Sequence, residues 1–112
     1  MSRPLQNFTF FSNQQVIGIS PEYTNIQGET IGLEIFGSGV STKIWFEAKM
    51  NEDGNWNEIP AVKQKDFTVA TSTTGMNEVW NISIGANYKF RLRIETYGSG
   101  IINAKARIIT SV

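Results

Sequence analysis

The run from Trp80 to Ile108 restricts this chain more than any other stretch. Apolar residues recur at every second position through three segments: Trp80, Ile82 and Ile84; Tyr88, Phe90, Leu92 and Ile94; then Ile102, Ala104, Ala106 and Ile108. Side chains on a strand alternate between two faces, so a period of two writes three strands that share one buried face. Gly85-Ala86-Asn87 and Gly98-Ser99-Gly100 separate the segments. Each offers residues that tolerate positive φ, and each reads as a three-residue hairpin turn. With those loops Ile84 faces Tyr88, Ile82 faces Phe90 and Trp80 faces Leu92, while Ile94 meets Ala104, Leu92 meets Ala106 and Phe90 meets Ile108. A slip of one residue would turn all of them outward, so parity supports the register. The expectation is a three-stranded meander.

Upstream the same alternation is shorter. Ile31, Leu33 and Ile35 form one row and Ile44, Phe46, Ala48 and Met50 another, with Gly37 to Val40 between them. A hairpin there would set Glu34 against Lys43 and Gly32 beneath Trp45, both favourable cross-strand pairs. Asn51-Glu52-Asp53-Gly54-Asn55 is a turn, Trp56 and Ile59 lie on the return strand, and Pro60 ends it. Phe67 to Ala70 reads as a short strand, and Thr71 to Gly75 as a polar loop leading to Trp80. Residues 1–25 carry the weakest pattern. Phe8 and Phe10 suit one short strand and Val16 to Ile19 another, Ser20-Pro21-Glu22 is a turn, and the segment reads as an arm that orders against a neighbour. About eight strands with short polar loops indicate an all-β chain: a single antiparallel two-sheet β-sandwich, jelly-roll-like, forming one domain over 1–112.

Composition removes several function classes. The chain has no cysteine and no histidine, which excludes disulfides, thiol catalysis, the commonest metal ligand and the usual general base. Lysine plus arginine and aspartate plus glutamate each number 10, so no net field draws the chain to nucleic acid or an anionic membrane. The first seven residues contain no apolar core of a signal peptide, and no run approaches a membrane span. The expected partners therefore include neither nucleic acid nor membrane.

With no histidine or cysteine, a carboxylate pair is the acid–base chemistry left; Glu52 and Asp53 lie in a turn, Glu34 and Glu47 on outward strand positions, and the spacing selects no pair. The turn at 51–55 lacks the twelfth-position glutamate of an EF-hand loop. No enzyme, metal or cofactor is expected. The meander register sets Arg91 opposite Arg107 and Arg93 opposite Lys105, an unfavourable array of like charges. Either a neighbouring strand carrying Glu34 or Glu47 interleaves with it, or the stripe meets carboxylates of a partner subunit. Arg91, Arg93, Lys105 and Arg107 are thus candidate interface residues. Tyr23, Trp45 and Tyr97 do not fall on the inward pattern and form a candidate aromatic surface, for a glycan or a protein, unless Trp45 merely covers Gly32. Trp56 and Trp80 read as packing residues.

The strand Thr42-Lys43-Ile44-Trp45-Phe46-Glu47-Ala48, the Asp53-Gly54-x-Trp56 turn, the polar stretch at 71–74, the Trp80 strand and the segment from Tyr88 to Gly100 resemble small β-sandwich domains of tailed phages and prophages of Bacillus and its relatives. The resemblance covers residues 30–110. It implies a non-enzymatic virion structural protein, such as a head decoration, neck or tail accessory component, which forms a homo-oligomer, contacts other virion proteins and resides in the virion or, before assembly, in the host cytoplasm. Two alternatives stand beside it: a carbohydrate-binding module with Trp45 and Tyr97 as sugar platform, and a small prophage protein acting on the host.

Overall fold

The computed structural model describes residues 6–25 and 28–109, and every regular element among them is a strand. In chain order these are β1 (Gln6–Gln14), β2 (Gly18–Ile19), β3 (Tyr23–Thr24), β4 (Thr30–Gly37), β5 (Lys43–Lys49), β6 (Trp56–Glu58), β7 (Ala61–Lys63), β8 (Val69–Ala70), β9 (Ser72–Thr73), β10 (Glu78–Ser83), β11 (Lys89–Thr96) and β12 (Ile102–Ile109). The first sheet runs β1-β12-β4-β10-β7-β8 and the second β2-β11-β5-β6, with β3 also on β11 and β9 also on β5. All pairings are antiparallel. The excess over eight strands comes from segments of two or three residues, too short for alternation to register in a sequence. No helix among the described residues is long and apolar enough to cross a membrane.

The two sheets enclose one core. Trp80, Ile82, Ile84, Ile31, Leu33, Ile35, Ile102 and Ile108 from the first meet Phe46, Ile44, Phe90, Leu92 and Ile94 from the second, all essentially without solvent contact. Rings bridge the layers: Phe46 lies 5.1 Å from Trp80, and Phe10 meets Phe90 edge-on at 5.6 Å. Met50 departs from its expected inward position and is half exposed, and Tyr88 is only partly buried.

The meander is corrected. Strands β10 and β12 belong to the first sheet and β11 to the second, so none of the three pairs with its sequence neighbour. The same holds for β4 and β5, which removes the expected pairs of Glu34 with Lys43 and Gly32 with Trp45. The physical reason is that an inward side chain in a sandwich points into the same core from either layer. Parity fixes which face of a strand is buried and leaves its partner open.

The connections are therefore arches that cross from sheet to sheet, and two of them fasten to each other. Ser38 N donates to Ile101 O at 2.9 Å, Val40 N to Ser99 O at 2.9 Å, and Gly98 N to Val40 O at 3.1 Å. Ser38 Oγ accepts from Ile101 N at 3.1 Å. Backbone groups that a hairpin would have paired internally are satisfied between arches.

The N-terminal segment is more regular than expected. Residues 6–14 pair along β12 as an edge strand, and register shifts after Thr9 and Phe11 mark irregularities that let the consecutive Phe10 and Phe11 both be buried. Residues 1–5 of the expected arm lie outside the described residues. Between β2 and β3, Pro21 interrupts the pairing with β11, and Ser20 repairs it: its amide donates to Leu92 O and its Oγ accepts from Leu92 N, both at 2.9 Å. Ser20→Ala would orphan a buried amide at a cost of about 1–2 kcal/mol. A chemical denaturation midpoint unchanged from wild type would show that water replaces the hydroxyl.

Candidate functional site

The outward positions of β5, β6 and β11 build one continuous row of side chains on the second sheet. Register sets Arg91 beside Glu47, Arg93 beside Trp45, and Lys49 beside both Lys89 and Trp56. Glu47 joins the two arginines: its Oε1 accepts from Arg91 Nε at 2.9 Å and its Oε2 from Arg93 Nε at 2.7 Å. The Glu47 side chain is 4% exposed, although it stands on an outer face, because its neighbours cover it.

Two tryptophans flank this triad. The Arg91 guanidinium lies 4.0 Å from the Trp56 ring centre, with the Lys49 ammonium at 5.8 Å. On the other side the Lys43 ammonium is 4.5 Å and the Arg93 guanidinium 5.8 Å from the Trp45 ring. Trp45 Nε1 donates to Glu95 Oε1 at 2.8 Å. Each cation–π contact contributes about 0.5–2 kcal/mol, depending on how dry it is. The carboxylate takes one Nε–H from each arginine, and Arg93 Nη1 also lies 3.9 Å from Glu95 Oε1, so the outer nitrogens of Arg91 are the ones left to meet a partner. The two guanidinium groups thus face two carboxylates, Glu47 between them and Glu95 at the Trp45 end. At its corner Ile19 pairs with Arg93 and is 55% exposed, and Val16 and Ile17 are equally open.

The four candidate interface residues divide between opposite faces of the molecule. Arg91 and Arg93 belong to the row just described. Lys105 and Arg107 lie on the outside of the first sheet, where Lys105 stands beside Glu34 and Thr9, and Arg107 beside Gly32 and Asn7. The expected opposition of Arg91 to Arg107 and of Arg93 to Lys105 does not occur, because their strands are in different sheets; Glu47 and Glu34 interleave instead.

The three candidate surface aromatics are likewise dispersed. Tyr23 is corrected to a core residue at 5% exposure, its hydroxyl donating to Glu29 Oε1 at 2.7 Å. Burial, then the Glu29 carboxylate, pushes the Tyr23 hydroxyl pKa far above its usual value. Tyr97 is half-buried against the core and donates to Gly100 O at 2.6 Å. Trp45 is on the surface, with Lys43 over its ring. Trp56, expected inside, is the residue that sequence reasoning missed. The turn at 51–55 pairs it with Lys49, an outward position, so carrying parity through that turn would have placed it correctly. Among the described residues no cluster of three or more acids could hold a metal ion.

The family model for XepA matches residues 5–108. The chain belongs to the XepA family. Two solved structures share the fold of this XepA-family chain. One is the SPBc2 prophage-derived protein YomS, 21% identical, with a TM-score of 0.85 over 95% of this chain and 94% of that one. The other is the PBSX exported protein XepA, 22% identical, with a TM-score of 0.91 over 97% of this chain. The match spans 39% of the XepA chain, so the fold corresponds to one part of that longer protein. At such identities the likeness establishes the fold alone. No curated protein matches the sequence.

Proposed function

We propose that this chain is a non-enzymatic structural component of a phage or prophage particle, a head decoration, neck or tail accessory protein, which self-associates and binds other particle proteins. The observation that carries this reading is the Trp56-Arg91-Glu47-Arg93-Trp45 row. Tryptophan and arginine dominate the energetic centres of protein interfaces, and side chains already locked in place lose little entropy when a partner arrives. The exposed aliphatic corner at Val16, Ile17 and Ile19 adds the apolar area such a contact needs. Family membership supports a prophage origin, since the two solved proteins come from the SPBc2 and PBSX prophages. The description of XepA as exported is in keeping with a protein that leaves the host within a particle.

Particles purified by density gradient from an induced lysate are expected to contain this chain in fixed stoichiometry. A particle that assembles, infects and retains full stability when the gene is deleted would overturn the assignment. Arg91→Glu combined with Arg93→Glu is expected to release the chain from the particle, by reversing the charge that faces the partner.

A further inference from the structure

The β7–β8 hairpin carries at its tip an aromatic residue whose side chain faces solvent. Phe67 is 79% exposed and has φ of 62°. A bulky side chain is poorly accommodated in the left-handed region, where glycine or asparagine would be at ease. The tip is nevertheless well fixed: Phe67 N donates to Lys63 O at 2.8 Å, and Asp66 Oδ1 accepts from Thr68 N at 3.1 Å and from Thr68 Oγ1 at 2.7 Å. Asp66 Oδ1 is thus engaged. Its Oδ2 accepts no hydrogen bond among the described residues, although Lys63 and Lys65 of the same hairpin act on the carboxylate electrostatically, and it can accept from another molecule.

The same molecule carries a receptacle of matching chemistry. On the outside of the first sheet, Gly32 lies between Arg107 and Asn81 and contributes no side chain. The gap opens a depression of about 400 Å³, bordered by Val79, Asn81, Lys105 and Arg107, with Glu34 and Gln64 also on its rim. That volume sits at the low end of ordinary ligand pockets, ~300–1,000 Å³. Neither Lys105 nor Arg107 forms an ion pair among the described residues.

We infer that the Asp66-Phe67 tip of one copy docks in the depression over Gly32 of a second copy, the ring seated above the glycine and the Asp66 carboxylate meeting Arg107 and Lys105. The apolar ring fills the gap, and the acid beside it meets Arg107, whose cross-strand neighbours are Gly32 and Asn7, while Lys105 stands between it and Glu34; an acid next to an aromatic ring selects this tip over an uncharged apolar ligand. The contact joins different surfaces of two subunits. A two-fold pair makes it twice, and a head-to-tail series makes it once per junction. This inference rests on the self-association proposed above and names its contact.

The test uses substitutions that improve the isolated subunit. Phe67→Gly relieves the backbone, and Gly32→Val gives a central strand a β-branched residue whose Cβ would meet nothing closer than Arg107 O at 3.7 Å. Both are expected to weaken self-association at least tenfold by light scattering after size exclusion, with an unfolding midpoint equal to wild type or higher. A structural role alone would move the midpoint and leave the mass. Asp66→Lys and Arg107→Glu are each expected to dissociate the assembly, and the double reversal to restore it. A wild-type multimer that keeps its mass in Phe67→Gly and Gly32→Val overturns this contact and leaves the proposed self-association standing. A monomeric wild type overturns both.

Discussion

Gly100→Ala is expected to destabilise the fold by about 3–4 kcal/mol, a fall in melting temperature of roughly 12–16 °C for a domain of this size. Gly100 has φ of 89°, a conformation that an L residue rarely adopts. More decisively, a Cβ there would strike the carbonyl of Ser38, a backbone atom on the facing arch that cannot rotate away. Ser38 is held by its own bonds to Ile101, so relieving the clash means separating the arches. Tyr97 also donates to Gly100 O, so displacing this backbone loosens a ring packed on the core. Gly85→Ala is the internal control. Its φ of 51° imposes similar backbone strain, but nothing lies within 4 Å of the added Cβ, so the loss is expected to be about 1 kcal/mol. Thermal melts of the two variants in parallel decide the matter: equal losses would mean that arch contact contributes nothing beyond the dihedral.

That contrast also shows why part of the fold was legible and part was not. Every inward position from Trp80 to Ile94 was recoverable except Tyr88, because burial of alternate residues is a property of a single strand. Which strand lies alongside is decided by the path of the connection. Gly98 and Gly100 look the same in sequence whether they turn a hairpin or admit a neighbouring arch. Here both sit against the 38–41 segment, where a Cβ on either would meet backbone or side-chain atoms of that arch. The candidate site was legible to the same degree. Outward parity correctly grouped Arg91 with Arg93 and supplied Glu47 as a counter-charge, while the assumed hairpin wrongly added Arg107 and Lys105. Tyr23 was beyond reach, because its burial depends on a partner acid, Glu29, that no periodicity pairs with it.

Glu47→Gln carries the second large effect, an expected loss of about 2–4 kcal/mol. The amide oxygen can accept from one Nε–H, while the amide nitrogen, a donor, is turned toward the other guanidinium. Two arginines whose side chains are 14% and 31% exposed then share a site in which Arg91 has lost its counter-ion and Arg93 keeps Glu95 alone, at 3.9 Å. Removing one member of a fully buried ionic cluster costs about 3–5 kcal/mol, and the solvent access of Arg93 lowers that figure. Part of the loss is repulsion between like charges, so raising the ionic strength is expected to recover some of it, whereas the missing hydrogen bond is insensitive to salt. Adding Arg91→Met to Glu47→Gln is expected to cost less than the sum of the two single changes, since the unpaired cation leaves with its anion. A strictly additive double mutant would mean that the triad is a coincidence of geometry. Arg91 also stacks on Trp56, so a guanidinium released from Glu47 is expected to shift Trp56 emission. The same substitution therefore reports, in one protein, whether the ionic lock holds the face in the shape that a partner meets.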